Sequence, residues 1–229
     1  MAPVKLVIFD CDGTLVDSQH AIVASMTDAF QAEGLAAPPR EAIVGVVGLS
    51  LPIAIARLVS ADTDPARVDR LAEAYKDAFR ALRQRPDHAE PLYDGVRGAL
   101  ERLAAREGVR LGIATGKSRR GVDAVLEREG LQRMFATIQT ADTHPSKPHP
   151  AMVLAAMSET DAAPADTVMI GDTTFDIEMA REAGATAIGV SWGYHPEDAL
   201  HAAGAHCVTA NSGELERALD QMLFRRRVG

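Results

Sequence analysis

The chain has 229 residues, 47% of them hydrophobic and 24% charged, enough for one large domain or a medium domain carrying an insertion, with a real core to bury. A formal net charge of -8 repels polyanions and the only basic run, Arg225 to Arg227, ends the chain, which excludes nucleic acid and anionic membranes as expected partners. No stretch reaches the roughly 18 apolar residues of a membrane span, no charged-then-apolar leader opens the sequence, and Cys11 and Cys207 lack metal-type spacing, so a cytoplasmic protein with free thiols is expected.

The first predicted strand, VKLVIFD, runs into Asp10. From about residue 17 to about residue 85 only helical signals follow. A helix over 18–33 carries Ile22, Met26, Ala29 and Phe30 on one face and closes at Gly34. A second starts after Pro38 and Pro39, and Gly48 to Ser50 break it before a third over 52–60. Asp64 and Pro65 make an N-cap and N1 pair for a fourth helix, in which Val68, Leu71, Ala72, Tyr75, Phe79 and Leu82 recur at helical spacing. Residues 85–91 read as a hinge leading back.

The remainder alternates helices with apolar β-like runs. Helices are predicted over 95–107, 119–129, 151–159 and 175–182, and strands over 109–115, 135–139, 167–172, 186–190 and 206–209. The fold class is therefore α/β, a Rossmann-like parallel sheet core (1–16 and 86–229) with an inserted all-helical cap (17–85). Three strands end on Asp10, Thr115 and Asp172, and in such sheets ligands bind outside the carboxyl ends of the strands. One crevice should collect all three.

Asp10 and Asp12 stand two residues apart on extended backbone, so both point to the same side, while Cys11 points into the core. Asp10, at the strand end, suits a nucleophile, and Asp12 suits a general acid and base. Gly13 lets the chain turn beside them.

The segment DCDGTLVDS resembles the first motif of the haloacid dehalogenase superfamily, whose Mg-dependent phosphatases form an aspartyl-phosphate intermediate. Three later segments match in order: Thr115 in IATGK, Lys147 in SKPHP, and Asp172 with Asp176 in GDTTFD. The resemblance implies that Thr115 binds the transferring phosphoryl group and Lys147 neutralises its charge. It implies a Mg2+ site built from Asp10, the backbone carbonyl of Asp12, Asp172 and waters, with Asp176 ligating or orienting. It also implies a cis bond between Lys147 and Pro148. A cap between the first and second motifs, together with PLYDGV, resembles the phosphoglycolate phosphatase-like subgroup.

The reading is a phosphohydrolase of that type acting on a small phosphorylated metabolite as a monomer or homodimer. An inorganic pyrophosphatase or nucleotidase, a β-phosphoglucomutase-like mutase, and a non-catalytic or phospho-accepting signalling domain are the alternatives. Residues 15–18 and 85–92 would form the hinge of a closing cap. Gly116 and Lys117 join Thr115 and Lys147 as substrate-binding candidates, while Arg57, Ser118 and the loop 45–51 are further selectors. His144, His149 and His195 read as loop residues, with His195 the one candidate for the entrance. Trp192 and Tyr194 are expected to cover the core edge.

Overall fold

The computed structural model describes residues 3–85 and 90–224. Six parallel strands form one sheet in the order β3-β2-β1-β4-β5-β6. They are β1 (Lys5–Phe9), β2 (Val109–Thr115), β3 (Thr137–Thr140), β4 (Thr167–Gly171), β5 (Thr186–Val190) and β6 (Cys207–Thr209). The chain winds outward from β1 through β2 to β3, then restarts at β4 on the other side. That reversal puts the topological switch point between β1 and β4, where α/β sheets open a crevice.

Both faces of the sheet are buried, as the continuous apolar strands require. Val7 and Phe9 pack to one side with Ile113 and Ile170, and Leu6 and Ile8 to the other with Ala114 and Met169, which is the period of two expected for a strand. Helices α5 (Val96–Ala104), α6 (Arg119–Glu129) and α10 (Ser212–Leu219) cover the first face through Leu100, Leu126 and Leu215. The second face lies under α7 (Ala151–Thr160), α8 (Thr174–Glu182) and α9 (Glu197–Ala202), which contribute Met152, Ile177 and Leu200.

Between β1 and α5 lie α1 (Gln19–Ala32), α2 (Arg40–Val44), α3 (Leu51–Leu58) and α4 (Pro65–Arg83). They share an apolar cluster separate from the two sheet faces, with Ile22, Met26, Ile43, Ile55, Leu71 and Phe79 in it. Asp64 caps α4 as its position before Pro65 predicts, accepting from the Ala66 N–H at 3.0 Å. The two connections to the sheet run side by side: Val16 pairs antiparallel with Leu92, the Asp17 N–H donates to Pro91 O, and the Tyr93 N–H donates to Leu15 O. The expected hinge falls partly on residues 86–89, which lie outside the described residues, as does the basic run Arg225 to Arg227.

Two helices go beyond the sequence reading, α9 and α10. The second is capped by Asn211, whose side chain accepts from the Glu214 N–H at 3.0 Å, and a further wide turn over Asp220–Phe224 seats Leu223 in the core.

Candidate active site

Asp10, Asp172 and Asp176 converge beyond the ends of β1 and β4, with one carboxylate oxygen from each lying within 4.8 Å of the others. All three are fully buried. Asp10 is set by its N–H, which donates to Ile170 O across to β4. Asp172 is gripped at both oxygens, by the Thr14 hydroxyl and the Tyr194 N–H, each at 2.9 Å. Asp176 sits in the first turn of α8, where it and Thr173 cap each other: the Thr173 hydroxyl donates to Asp176 Oδ2 at 2.7 Å and its N–H donates at 3.1 Å.

Close packing demands glycine around this cluster. A β-carbon on Gly13, whose φ is +83°, would lie 2.2 Å from Asp172 Oδ2. One on Gly193 would lie 2.2 Å from Asp172 Cβ.

Lys147 enters from the loop before α7, and the bond to Pro148 is cis. Its ammonium lies 2.8 Å from Asp10 Oδ1 and 2.6 Å from Asp176 Oδ1. Burial opposes its charge, but Asp10 and Asp176 outweigh that and hold it protonated well above its usual range. Burial pushes the Asp10 carboxyl up to about 6, with Lys147 pulling the other way. Asp172 is raised well above the carboxylate range by burial and then by Asp176 and Asp10.

Three carboxylates thus face one ammonium, a deficit of two positive charges. Both Asp10 oxygens are buried without an aligned hydrogen-bond donor among the described residues, Lys147 standing at ion-pair distance but off the line of a bond. A compact, buried set of hard oxygen donors with that deficit fits a divalent cation such as Mg2+.

The Asp12 carboxylate is not one of the three that converge and is engaged by other partners. Its Oδ1 accepts from the Ser18 hydroxyl at 2.6 Å and from the Lys117 ammonium at 2.7 Å. The Tyr194 hydroxyl lies 3.1 Å from that of Ser18. Lys117 also lies 3.4 Å from Glu90 and stands over the Phe79 ring, while Glu90, fully buried, pairs with Arg83 and Arg128.

Asp10, Asp12, Thr115, Gly116 and Lys117 line the floor of a cavity of about 730 Å³, whose roof comes from α1, the turn after α2, and α4. The turn touches the floor directly. A β-carbon on Gly116 would meet the carbonyl oxygens of Gly48 and Leu49 at 2.4 and 2.6 Å, and the Ser50 N–H donates to the Ser146 hydroxyl at 2.8 Å.

Residues 7–190 match the family model described as haloacid dehalogenase-like hydrolase. The chain belongs to that family. Among curated relatives of this haloacid dehalogenase-like hydrolase, the probable phosphatase IndB of Dickeya dadantii is 38% identical over 95% of this chain and 94% of its own length. A phosphoglycolate phosphatase of Agrobacterium fabrum is 33% identical over 82% of this chain and 81% of its own. A solved hydrolase from Pseudomonas syringae superposes with a TM-score of 0.83 at 28% identity, covering 95% of this chain and 99% of that one.

Other residues singled out in this hydrolase fall into place by contact. Arg57 does not line the cavity, because its guanidinium stacks 5.2 Å from the Phe175 ring centre at an exposed position. Ser118 caps α6 through the Gly121 N–H. His144 bonds Gln139, His149 accepts from the Ala151 N–H, and Cys11 is buried in the core. His195 lies outside the cavity lining, its ring edge on Phe175 and its Nδ1 accepting from the Thr174 N–H, with burial lowering its basicity. Trp192 does more than cover an edge: its indole N–H donates to Thr14 O, which steadies the Thr14 that holds Asp172. Sequence reading missed the contacts of Ser18 and Glu90 with the Asp12 and Lys117 pair. The only local hint for either residue is its place within the predicted hinge segments 15–18 and 85–92.

Proposed function

We propose that the chain is a Mg2+-dependent phosphohydrolase of the phosphoglycolate phosphatase-like type, cleaving a small phosphorylated metabolite through an aspartyl-phosphate intermediate. The observation that carries this is the meeting of Asp10, Asp172, Asp176 and Lys147 in one buried cluster at the switch point of the sheet. The names of the relatives, a phosphatase and a phosphoglycolate phosphatase, support the same reading.

Asp10 is the nucleophile, and its carboxylate forms a bond to phosphorus as the ester oxygen departs. Asp12, on the cavity side, gives that oxygen its proton, then takes a proton from the water that attacks the same phosphorus and frees Asp10. Thr115 and Lys147 hold the phosphoryl oxygens as charge develops on them. Asp10, the carbonyl of Asp12, Asp172 and Asp176 would hold Mg2+, which supplies the positive charge that lets a phosphate dianion approach a carboxylate. Residues 17–85 act as a cap over a core of 1–16 and 86–229, closing on the paired connections at Val16 and Leu92 and excluding water.

Phosphate release from small phosphoesters, sugar phosphates, nucleotides and pyrophosphate, with and without Mg2+, tests this. Mg2+-dependent release that disappears in Asp10→Asn is expected. Release that persists in Asp10→Asn, or none from any ester, would overturn it.

A further inference from the structure

The cavity is larger than a two-carbon alcohol requires, and its two ends differ in chemistry. At about 730 Å³ it falls among pockets that enclose drug-sized ligands, even with the turn at Gly48 resting on Gly116. Its roof has an apolar part beside the cations of α4: Ile22, Met26, Val47 and Phe79 line it along with Lys76, Arg80 and Arg83, and those four belong to the cluster that holds the inserted helices together. A small polar alcohol would leave these side chains facing trapped water, with no gain from their apolar surface.

Beside Asp12, where the departing oxygen must lie to receive its proton, the charges that line the cavity are the cations Lys117 and Arg83 and the one carboxylate of Asp12. Glu90 pairs with both cations from outside the lining, and Arg128 is shared between Glu90 and Glu129. The Lys117 side chain is only 8% exposed. A poorly hydrated ammonium next to the leaving oxygen favours a substrate that brings an anion of its own to that point.

We infer that the alcohol half of the substrate carries an anionic group close to the ester oxygen and an apolar body beyond it, with Lys117 receiving the anion and the roof receiving the body. This rests on the hydrolase reading above. It goes further by making Lys117 and the roof the specificity-determining elements, and by making phosphoglycolate itself too small to be the best substrate.

The phosphate esters of glycolate, 3-phenyllactate and 2-phenylethanol separate the two parts, because they vary the apolar body at constant charge and the charge at constant body. The phenyllactate ester should exceed each of the others in kcat/KM by about 10-fold or more. Lys117→Met should collapse its advantage over the phenylethanol ester, and Lys117→Arg should keep most of it. Val47→Trp, which fills the roof, should collapse its advantage over the glycolate ester. The wild-type ratios need no variant to fold, so equal rates for the three esters overturn the inference outright. Calorimetric binding of the same esters to Asp10→Asn keeps the two readings apart. Binding in the expected order with no turnover by the wild type would support this inference while sinking the hydrolase reading. Turnover of p-nitrophenyl phosphate alongside equal binding of all three esters would do the reverse.

Discussion

Gly116, directly after the end of β2, lies so close to the turn after α2 that a β-carbon there would stand 2.4 Å from Gly48 O. The obstacle is backbone on both sides, since Leu49 O would be at 2.6 Å, so neither surface can yield by rotating a side chain. Gly116→Ala is therefore expected to lift the turn from the floor while leaving both sheet faces packed. Because catalytic geometry is sensitive to displacements of about 1 Å, kcat/KM should fall by about 10- to 100-fold. Steady-state kinetics beside a thermal melt check this, and a large loss of Tm with unchanged kinetics in the folded fraction would contradict it.

Lys147 is the sole cation in contact with Asp10 and Asp176 among the described residues, and its side chain is fully buried. Lys147→Met keeps much of the volume and leaves like charges facing each other without solvent. Breaking a buried pair in this way costs about 3–5 kcal/mol. Urea unfolding in the presence of a chelator should show a loss of that size. Added Mg2+ should recover part of the stability, but not the activity if Lys147 also holds the phosphoryl group.

Legibility in the sequence followed the range of the interaction. Asp10, Thr115 and Asp172 could be placed because a strand end is a local fact and a parallel sheet gathers such ends by itself. The Asp64 cap of α4 and the left-handed Gly34 after α1 were equally local. The pairing of Lys117 with Asp12, and of both Lys117 and Arg128 with Glu90, joins segments far apart in the chain, and nothing in residue type or spacing announces it. Arg57 illustrates the converse, since a cation near the expected cleft turned out to stack on Phe175. Helix α10 escaped because it is short and its apolar face, Leu215 and Leu219, is recognisable only once the sheet it covers is known.

Ser18 occupies the N-cap of α1, yet its hydroxyl makes no capping bond and goes to Asp12 instead. Ser18→Ala should therefore cost the helix little and free the Asp12 carboxylate to turn. If Asp12 transfers the proton, kcat should fall by about 10-fold, with KM changed far less, as expected when a hydrogen bond to a charged catalytic group is lost. Tyr194→Phe removes only the partner of Ser18 and should have a smaller effect in the same direction. A Ser18→Ala variant with full kcat would remove Asp12's dependence on this contact.

Asp10 gives the site a defined pH response. Its carboxyl is raised from 3.8 to about 6 by burial, so the fold favours the protonated form when no metal is bound. That contribution to stability is fully present below the unfolded value and is lost as pH rises through about 6. Asp172, raised by burial in the same direction, adds to the effect. A divalent cation reverses the preference because it binds the ionised carboxylates, so it must compete with protons more strongly as pH falls through about 6. The gain in Tm on adding Mg2+ should be large at about pH 7.5 and small at about pH 5. Taking the difference with and without Mg2+ at each pH cancels the carboxylates whose values are lowered elsewhere, such as Glu159 and Glu216. Asp172→Asn should lose most of the gain at both pH values, and an equal gain across the range would show that Mg2+ acts somewhere other than this cluster.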